Sequence, residues 1–377
     1  MKSIFIRSSR RWMKNLADDM KWDRTHEKSK QMHEISGKTY KEKIFNFIKS
    51  TFLPPIEWFL PYELLLSQKI SADIIIEPGS RLIFTKKKYI CYCENGLGIL
   101  SYNMKKNNFF NKKIASFLIK KNNFLGFVFY SEAAKKSAYA LFGDMIKEKD
   151  LGIIYPYCKI PTLENKIFNK NITLGFCSSL FNLKGGRELV DAIIELNLLG
   201  TSINLNLLTR QDDIPEEYLL KIENNPFISI TEFNLDNLNY FKHINKWDAL
   251  IHPTYFDSSA LTVIEFLNLN KPVISTNIFA ISEYVDSKYL MENKKNIFDS
   301  SFLPKKNVFL DSEIIRLSSN KEKYCSFLKE EIKSKIQILL SDSNFHSNIF
   351  HPKVKITPNM IIKQWTELLD KYQQDKH

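Results

Sequence analysis

Two carboxylates and one ammonium group are the residues whose types and spacing promise chemistry. Asp257 and Glu265 stand eight positions apart in "HPTYFDSSALTVIEFLNLNKPVIST", a polar loop that runs into a helical pattern and then a buried strand. Eight helical residues advance about 12 Å and turn through about 80°. With Asp257 in the loop and Glu265 one or two turns into the helix, the pair brackets a helix N-terminus, whose unpaired N–H groups and positive dipole end attract phosphate. The carboxylates then suit hydroxyls of two sugars joined through a diphosphate, one of them a ribose. The spacing also admits a plainer arrangement, with Asp257 capping the helix and Glu265 on a solvated face.

Lys184 supplies a second feature. In "GFCSSLFNLKGGREL" it follows a strand and precedes a helix, at the strand end where ligands gather in open α/β sheets. A lysine there neutralises a departing diphosphate, and Gly185 and Gly186 let the backbone come close to it. In the first half, Glu94 and Asn95 end the strand pattern of "YICYCENGLG". They either face an acceptor or supply a turn. Glu77, ahead of Pro78-Gly79-Ser80, has the same two readings, and the Asp212-Asp213 pair in "QDDIPEEY" reads as a solvated loop.

The elements that position these groups alternate. Short apolar runs at "KSIFIRS" and residues 72–76, 89–93 and 126–130 read as strands, and Ser131 caps the helical "EAAKKSAYALF". The pattern breaks around 155–166 in "YPYCKIPTLENK", the expected domain boundary, and the alternation restarts at "ITLGFCS". Strands alternating with helices imply parallel sheets. The predicted fold is α/β: two Rossmann-like domains, residues 1–160 and 161–377, with parallel sheets facing a cleft. A terminal amphipathic helix in "TPNMIIKQWTELLDKY" has Thr357 as its cap, Pro358 at its first position and apolar residues at 361, 365, 368, 369 and 372.

Composition agrees with two units. A chain of 377 residues that is 44% hydrophobic can bury two cores. Residues 1–160 carry a charge of +14 and residues 161–377 carry −2, so the basic surplus belongs to the first half and predicts an anionic partner there. Five cysteines, an odd number, do not form a disulfide framework. Cys91 and Cys93 share a strand face without further ligands at metal-site spacing, so no metal site is expected. The opening apolar run is too short for a signal sequence, and nothing approaches the roughly 18–20 apolar residues of a membrane span. The expected location is the cytoplasm. No glycine follows Gly200, so glycine fingerprints are expected to be disguised or missing, with Asn taking some of the left-handed turn positions.

The ordered set of strand, "LKGGRELVDAI", strand and "WDALIHPTYFDSSALTVIEFLNLNKPVISTNIFAISEYV" resembles the donor domain of family 4 retaining nucleotide-sugar glycosyltransferases, which have the GT-B fold. That family has a Lys-Gly pair opening a helix, a strand ending in Pro-Ser, a Glu-seven-Glu element and a Lys-Pro-Val. Here Pro253 and Thr254 stand at Pro-Ser, Asp257 and Glu265 at the two Glu positions, and Lys271-Pro272-Val273 follow. The match spans roughly residues 172–290, and "GFVFYSEAAKKSAYALFG" is loosely similar to the family's last acceptor-domain strand and helix.

The resemblance implies that Glu265 binds ribose hydroxyls, Asp257 the donor sugar and Lys184 the phosphates, while the backbone of Ser258, Ser259, Ala260 and Leu261 cradles sugar and phosphate. The family's second clamp, an Arg five residues before the Lys, is Ser179 here, with Arg187 and Arg210 as substitutes. Its Gly within Glu-seven-Glu is Ala260, and its later Gly-Gly is Phe279-Ala280. The implied activity is metal-independent hexosyl transfer from a UDP- or GDP-linked sugar with retained configuration, needing no cofactor; no Asp-x-Asp occurs in the chain. A catalytically degenerate sugar-nucleotide or glycan-binding protein is the alternative that the departures leave open.

The basic residues concentrate in 2–49 and in "KKNNFFNKKIASFLIKKNNF", residues 105–124. Lysines interleaved with Phe109, Phe110, Phe117 and Leu118, and the aromatic "IFNFIKSTFLPPIEWFLPYELLL", suit an anionic membrane surface. A buried helix with solvated lysines is the other reading. Membrane contact predicts a glycan or polyprenyl-linked acceptor, as in polysaccharide or O-antigen assembly, and peripheral attachment at the inner membrane face. No nucleic-acid motif accompanies the basic stretches, so nucleic acid is not an expected partner.

Overall fold

The computed structural model describes residues 3–8, 10–25, 47–163, 172–306, 308–319, 324–346 and 350–372. Residues 26–46 of the basic N-terminal segment and 164–166 of the expected linker lie outside these.

The chain divides into two compact units, Met1–Lys159 with Phe298–Asp311 and Thr357–His377, and Ile160–Ile297 with Ser312–Ile356. In the first, β1 (Ile4–Ile6), β2 (Asp23–Arg24), β3 (Ile74–Glu77), β4 (Lys88–Cys93), β5 (Phe124–Phe129) and β6 (Asp150–Ile153) form a parallel sheet in the order β2-β1-β3-β4-β5-β6. Helices α1 (Arg11–Met20), α2 (Phe109–Ile119) and α3 (Glu132–Phe142) belong to the same unit. The Ile-rich run of β3 is fully buried, as expected of a parallel strand covered on both faces. Ser131 Oγ accepts the Ala134 N–H at 3.0 Å, so the cap read in the sequence starts α3.

In the second unit, β7 (Ile172–Cys177) leads through α4 (Gly186–Leu198) to β8 (Ile203–Thr209) and β9 (Ile228–Glu232). Helix α5 (Asn237–Ile244) precedes β10 (Ala249–His252), followed by α6 (Leu261–Asn268), β11 (Val273–Thr276), β12 (Leu290–Met291) and α7 (Ser326–Ser341). The parallel sheet has the order β12-β11-β10-β7-β8-β9. Neighbouring strands β7 and β10 therefore send their following loops in opposite directions. This reversal opens a crevice at their C-terminal ends, where a doubly wound sheet takes its ligand.

The terminal helix α8 (Pro358–Lys371) forms as read, with Thr357 Oγ1 accepting the Met360 N–H at 3.3 Å. It corrects the domain assignment, because the expectation kept 161–377 together and α8 belongs to the first unit. The reason is aromatic packing: the Trp365 ring lies edge-on to Trp22 at 5.6 Å and to Tyr92 at 5.1 Å. Strands β2, β6 and β12 were not read from the sequence. Two of them are two residues long, and "DLGI" of β6 lacks an apolar run, so sheet pairing alone defines them.

Candidate active site

Two loops meet at the β7/β10 crevice. The loop after β7 is braced from within: Ser178 Oγ accepts the Leu180 N–H at 3.0 Å, and Asp213 Oδ2 accepts the Phe181 N–H at 2.6 Å. Asp213 is thus half-buried bracing rather than solvated loop, a correction, whereas Asp212 is exposed as read. The difference arises because Asp213 follows β8, next to β7 in the sheet, and faces that loop. Gly185 then turns the chain into α4 at φ 70, and a Cβ there would lie 2.2 Å from the Pro253 carbonyl oxygen. Only glycine fits both the left-handed backbone and this approach. Tyr255 N–H donates to Leu183 O at 3.0 Å and ties the second loop to the first.

Across that junction the Lys184 ammonium reaches Asp257 Oδ2 at 2.6 Å and donates to Phe256 O at 2.7 Å. The two side chains are 14% and 17% exposed, so their charges interact with little screening by water. His252 Nε2 lies 3.0 Å from the same Oδ2. The other oxygen, Oδ1, accepts the N–H groups of Ser258 at 2.8 Å and Ala260 at 3.0 Å. One oxygen of Asp257 therefore caps the turn into α6, as the plainer reading had it, and the other faces Lys184. Burial alone pushes the Asp257 carboxyl up, but Lys184 and His252 outweigh it and hold the group far below the usual carboxylate range. Burial pulls His252 down, against the opposing pull of Asp257, and Lys184 adds to the lowering. A neutral imidazole beside an ionised carboxylate carries its proton on Nε2 and donates it.

Ala260 enters α6 at φ 38 and ψ 61, the left-handed conformation that glycine would adopt freely. Phe279, also at a glycine position of the resembling family, has φ 45. Glu265 sits one turn into α6 and is buried, which excludes the solvated-face reading. Tyr240 of α5 donates its hydroxyl to Glu265 Oε2 at 2.5 Å. Helix α5 is held at its C-terminal end by Lys271, whose ammonium donates to Asn245 O at 2.5 Å and Trp247 O at 2.6 Å. The lysine of Lys-Pro-Val is therefore a helix cap that places Tyr240 and, through it, Glu265.

Lys184, Gly185, Asp257, Ser258 and Ala260 thus meet at one junction. Ser259 Oγ is buried there without a hydrogen-bond partner, and Leu261 is the first residue of α6. Ser179 is half-buried in the loop after β7, and Arg187 is buried in the first turn of α4. Arg210 is exposed at the end of β8 and contributes to the field at Asp213. His252 and Tyr240 were missed by sequence reasoning. His252 has a signal, its place directly before Pro253-Thr254, whereas nothing local marks Tyr240.

In the first unit, Asn95 Oδ1 accepts the Leu97 N–H at 2.8 Å and caps a short 3₁₀ helix, Gly96–Leu100, so Asn95 makes the turn. Glu94 pairs with Arg10 at 3.2 Å. Glu77 is fully buried against Arg7 at 2.7 Å and takes a hydrogen bond from Tyr62, a structural role rather than an acceptor-facing one. Among the described residues no group of three His, Cys, Asp or Glu side chains is placed to hold a metal ion.

No protein-family model matches the chain, and no curated protein matches it in sequence. Solved structures do match in shape. Anabaena Alr3699/HepE, in complex with UDP and glucose, aligns over 98% of this chain and 99% of its own, with 12% identity and a TM-score of 0.51. The pneumococcal O-GlcNAc transferase GtfA, in complex with UDP and GlcNAc, aligns over 80% of this chain and 57% of its own, with 11% identity and a TM-score of 0.51. The GtfA/B complex aligns over 79% and 57%, with 13% identity and a TM-score of 0.51. The fold is GT-B. In a GT-B chain the switch point of the second unit carries Lys184 and Asp257 on the two diverging loops, with Glu265 behind them.

Proposed function

We propose that this protein is a retaining nucleotide-sugar glycosyltransferase of family 4, a hexosyltransferase. The observation that carries the reading is the convergence of Lys184 and Asp257, 73 residues apart in sequence, at the β7/β10 switch point, with Glu265 one turn into α6. Lys184 neutralises the diphosphate, Glu265 takes the ribose hydroxyls and Asp257 a hydroxyl of the transferred sugar. The Ser259 hydroxyl and the first turn of α6 hold phosphate oxygens. The bond between the anomeric carbon and the diphosphate oxygen breaks while the acceptor oxygen bonds to that carbon on the same face. The acceptor's proton passes to the departing phosphate oxygen. Positioning and charge stabilisation supply the acceleration, with Lys184 in the part a cation would take and no cofactor assigned. The neighbours solved with UDP and a sugar support a UDP-linked donor over GDP.

The reading extends to the acceptor: a glycan or polyprenyl-linked molecule of cell-surface polysaccharide or O-antigen assembly, met at the inner membrane face, with Glu94 on the acceptor side. It is supported by one basic, aromatic surface of the first unit. Phe109, Phe110 and Phe117 of α2 are exposed, and Lys121 lies over Phe117 at 5.0 Å and over Phe84 at 5.4 Å. Asn108 and Asn111 donate to Phe52 O at 3.3 and 2.9 Å, so exposed Phe52 and Leu53 adjoin the same helix. Lysine heads over exposed rings suit anionic headgroups. No helix among the described residues is long and apolar enough to cross a membrane.

A screen of UDP- and GDP-sugars for thermal stabilisation, followed by transfer assays, tests the donor reading. Lys184→Ala and Glu265→Ala are expected to abolish transfer while the far-UV spectrum stays native. Unchanged transfer in either variant refutes it, and donor binding without transfer by the wild type converts it to a binding protein. Sedimentation with anionic vesicles, weakened in Phe109→Ser/Phe110→Ser, tests the membrane surface; equal binding to neutral vesicles refutes it.

A further inference from the structure

The reading above gives Lys184 and Asp257 separate ligands, a diphosphate and a sugar hydroxyl, yet the two side chains are bonded to each other at 2.6 Å. Only one of them is free to move. Asp257 is held from three further directions, by the N–H groups of Ser258 and Ala260 and by His252 Nε2. Lys184 ends a flexible four-carbon stem and has a backbone carbonyl, Phe256 O, as its other bond. A diphosphate arriving at the junction therefore competes with Asp257 for one ammonium group. When the ammonium leaves, Oδ2 keeps only the His252 Nε2 proton and loses its second donor, which a sugar hydroxyl can replace and a bare diphosphate cannot.

We propose that Asp257 is a specificity-determining residue that couples the two halves of the donor: the diphosphate takes Lys184 from Asp257, and a hydroxyl of the attached sugar replaces Lys184 at Oδ2. The coupling favours an intact nucleotide sugar over the nucleoside diphosphate left after transfer, and so limits product inhibition. This rests on the glycosyltransferase reading. It adds that Asp257 opposes binding of the diphosphate alone.

Inorganic pyrophosphate is a probe independent of base and sugar. Titration calorimetry on the full chain is expected to show Asp257→Asn binding pyrophosphate about tenfold more tightly than the wild type, the scale of one hydrogen bond to a charged group. UDP should gain likewise. Asp257→Ser, which keeps an oxygen to cap α6, should show the same gain, and Lys184→Met should lose binding in either background. Wild-type binding with equal or weaker binding by both Asp257 variants overturns the exchange and leaves the site reading standing. No binding of pyrophosphate, UDP or GDP by wild type and variants alike overturns the site reading and the exchange with it.

Discussion

Gly185→Ala tests whether the site depends on the touch of its two loops. Two costs add. Alanine at φ 70 meets the left-handed penalty of about 1 kcal/mol. Its Cβ would also stand 2.2 Å from the Pro253 carbonyl oxygen, a backbone atom that yields only if the loop after β10 shifts. Overpacking of that kind costs about 1–3 kcal/mol, for a total of about 2–4. Gly200 provides the control, since its φ is 93 and nothing lies within 4 Å of a Cβ there, so Gly200→Ala meets the backbone penalty alone. Urea unfolding should separate the two variants by about 1–3 kcal/mol. Asp257 lies four residues beyond Pro253, so displacement of that loop also moves Asp257 away from Lys184. The kcat/KM for sugar transfer should fall at least about tenfold in Gly185→Ala, since misplacement of about 1 Å is enough to cost more, and stay unchanged in Gly200→Ala. Matching stabilities with unaltered transfer in both would refute the argument that this contact assembles the site.

Ala260→Gly should stabilise the chain by about 0.5–1 kcal/mol, the left-handed penalty less the entropy of glycine, as read by denaturant midpoint. Tyr240→Phe removes the Tyr240 hydroxyl bond to the buried Glu265 Oε2; stability should fall by about 1–3 kcal/mol, and donor KM should rise more than kcat falls. Burial lowers His252 in the folded chain, so below the unfolded value of about 6.5 the unfolded state takes the proton first and stability falls as pH drops. Melting between pH 7 and 5 should fall less steeply in His252→Gln. Asp257, held low, contributes stability that is complete above its unfolded value of about 3.9 and is lost only as pH falls through its folded range. It adds no slope in the window used for His252.

Much of the architecture was readable because parallel strands buried on both faces must be continuous apolar runs, and β3, β4, β5, β7 and β10 announce themselves that way, while β8 alternates apolar residues with Asn204 and Asn206. Short edge strands carry no such signature and acquire their form from the neighbour they pair with. The caps at Ser131 and Thr357 were legible because a side-chain oxygen reaches an N–H three residues away, within the range of local sequence.

Lys184, Asp257 and Glu265 were recognisable as candidates because residue type and spacing are one-dimensional properties, and so were the glycines that the loop after β7 needs. Which side chains share an electric field is not such a property. The meeting of Lys184 with Asp257 and the Tyr240 hydroxyl on Glu265 join elements placed side by side by sheet order. The bracing by Asp213 arises the same way. The covalent chain thus determined the inventory of charges and the periodicity of the elements. Tertiary structure decided the partners, because a charge-assisted hydrogen bond depends on separations of about 3 Å between atoms that sequence distance does not constrain.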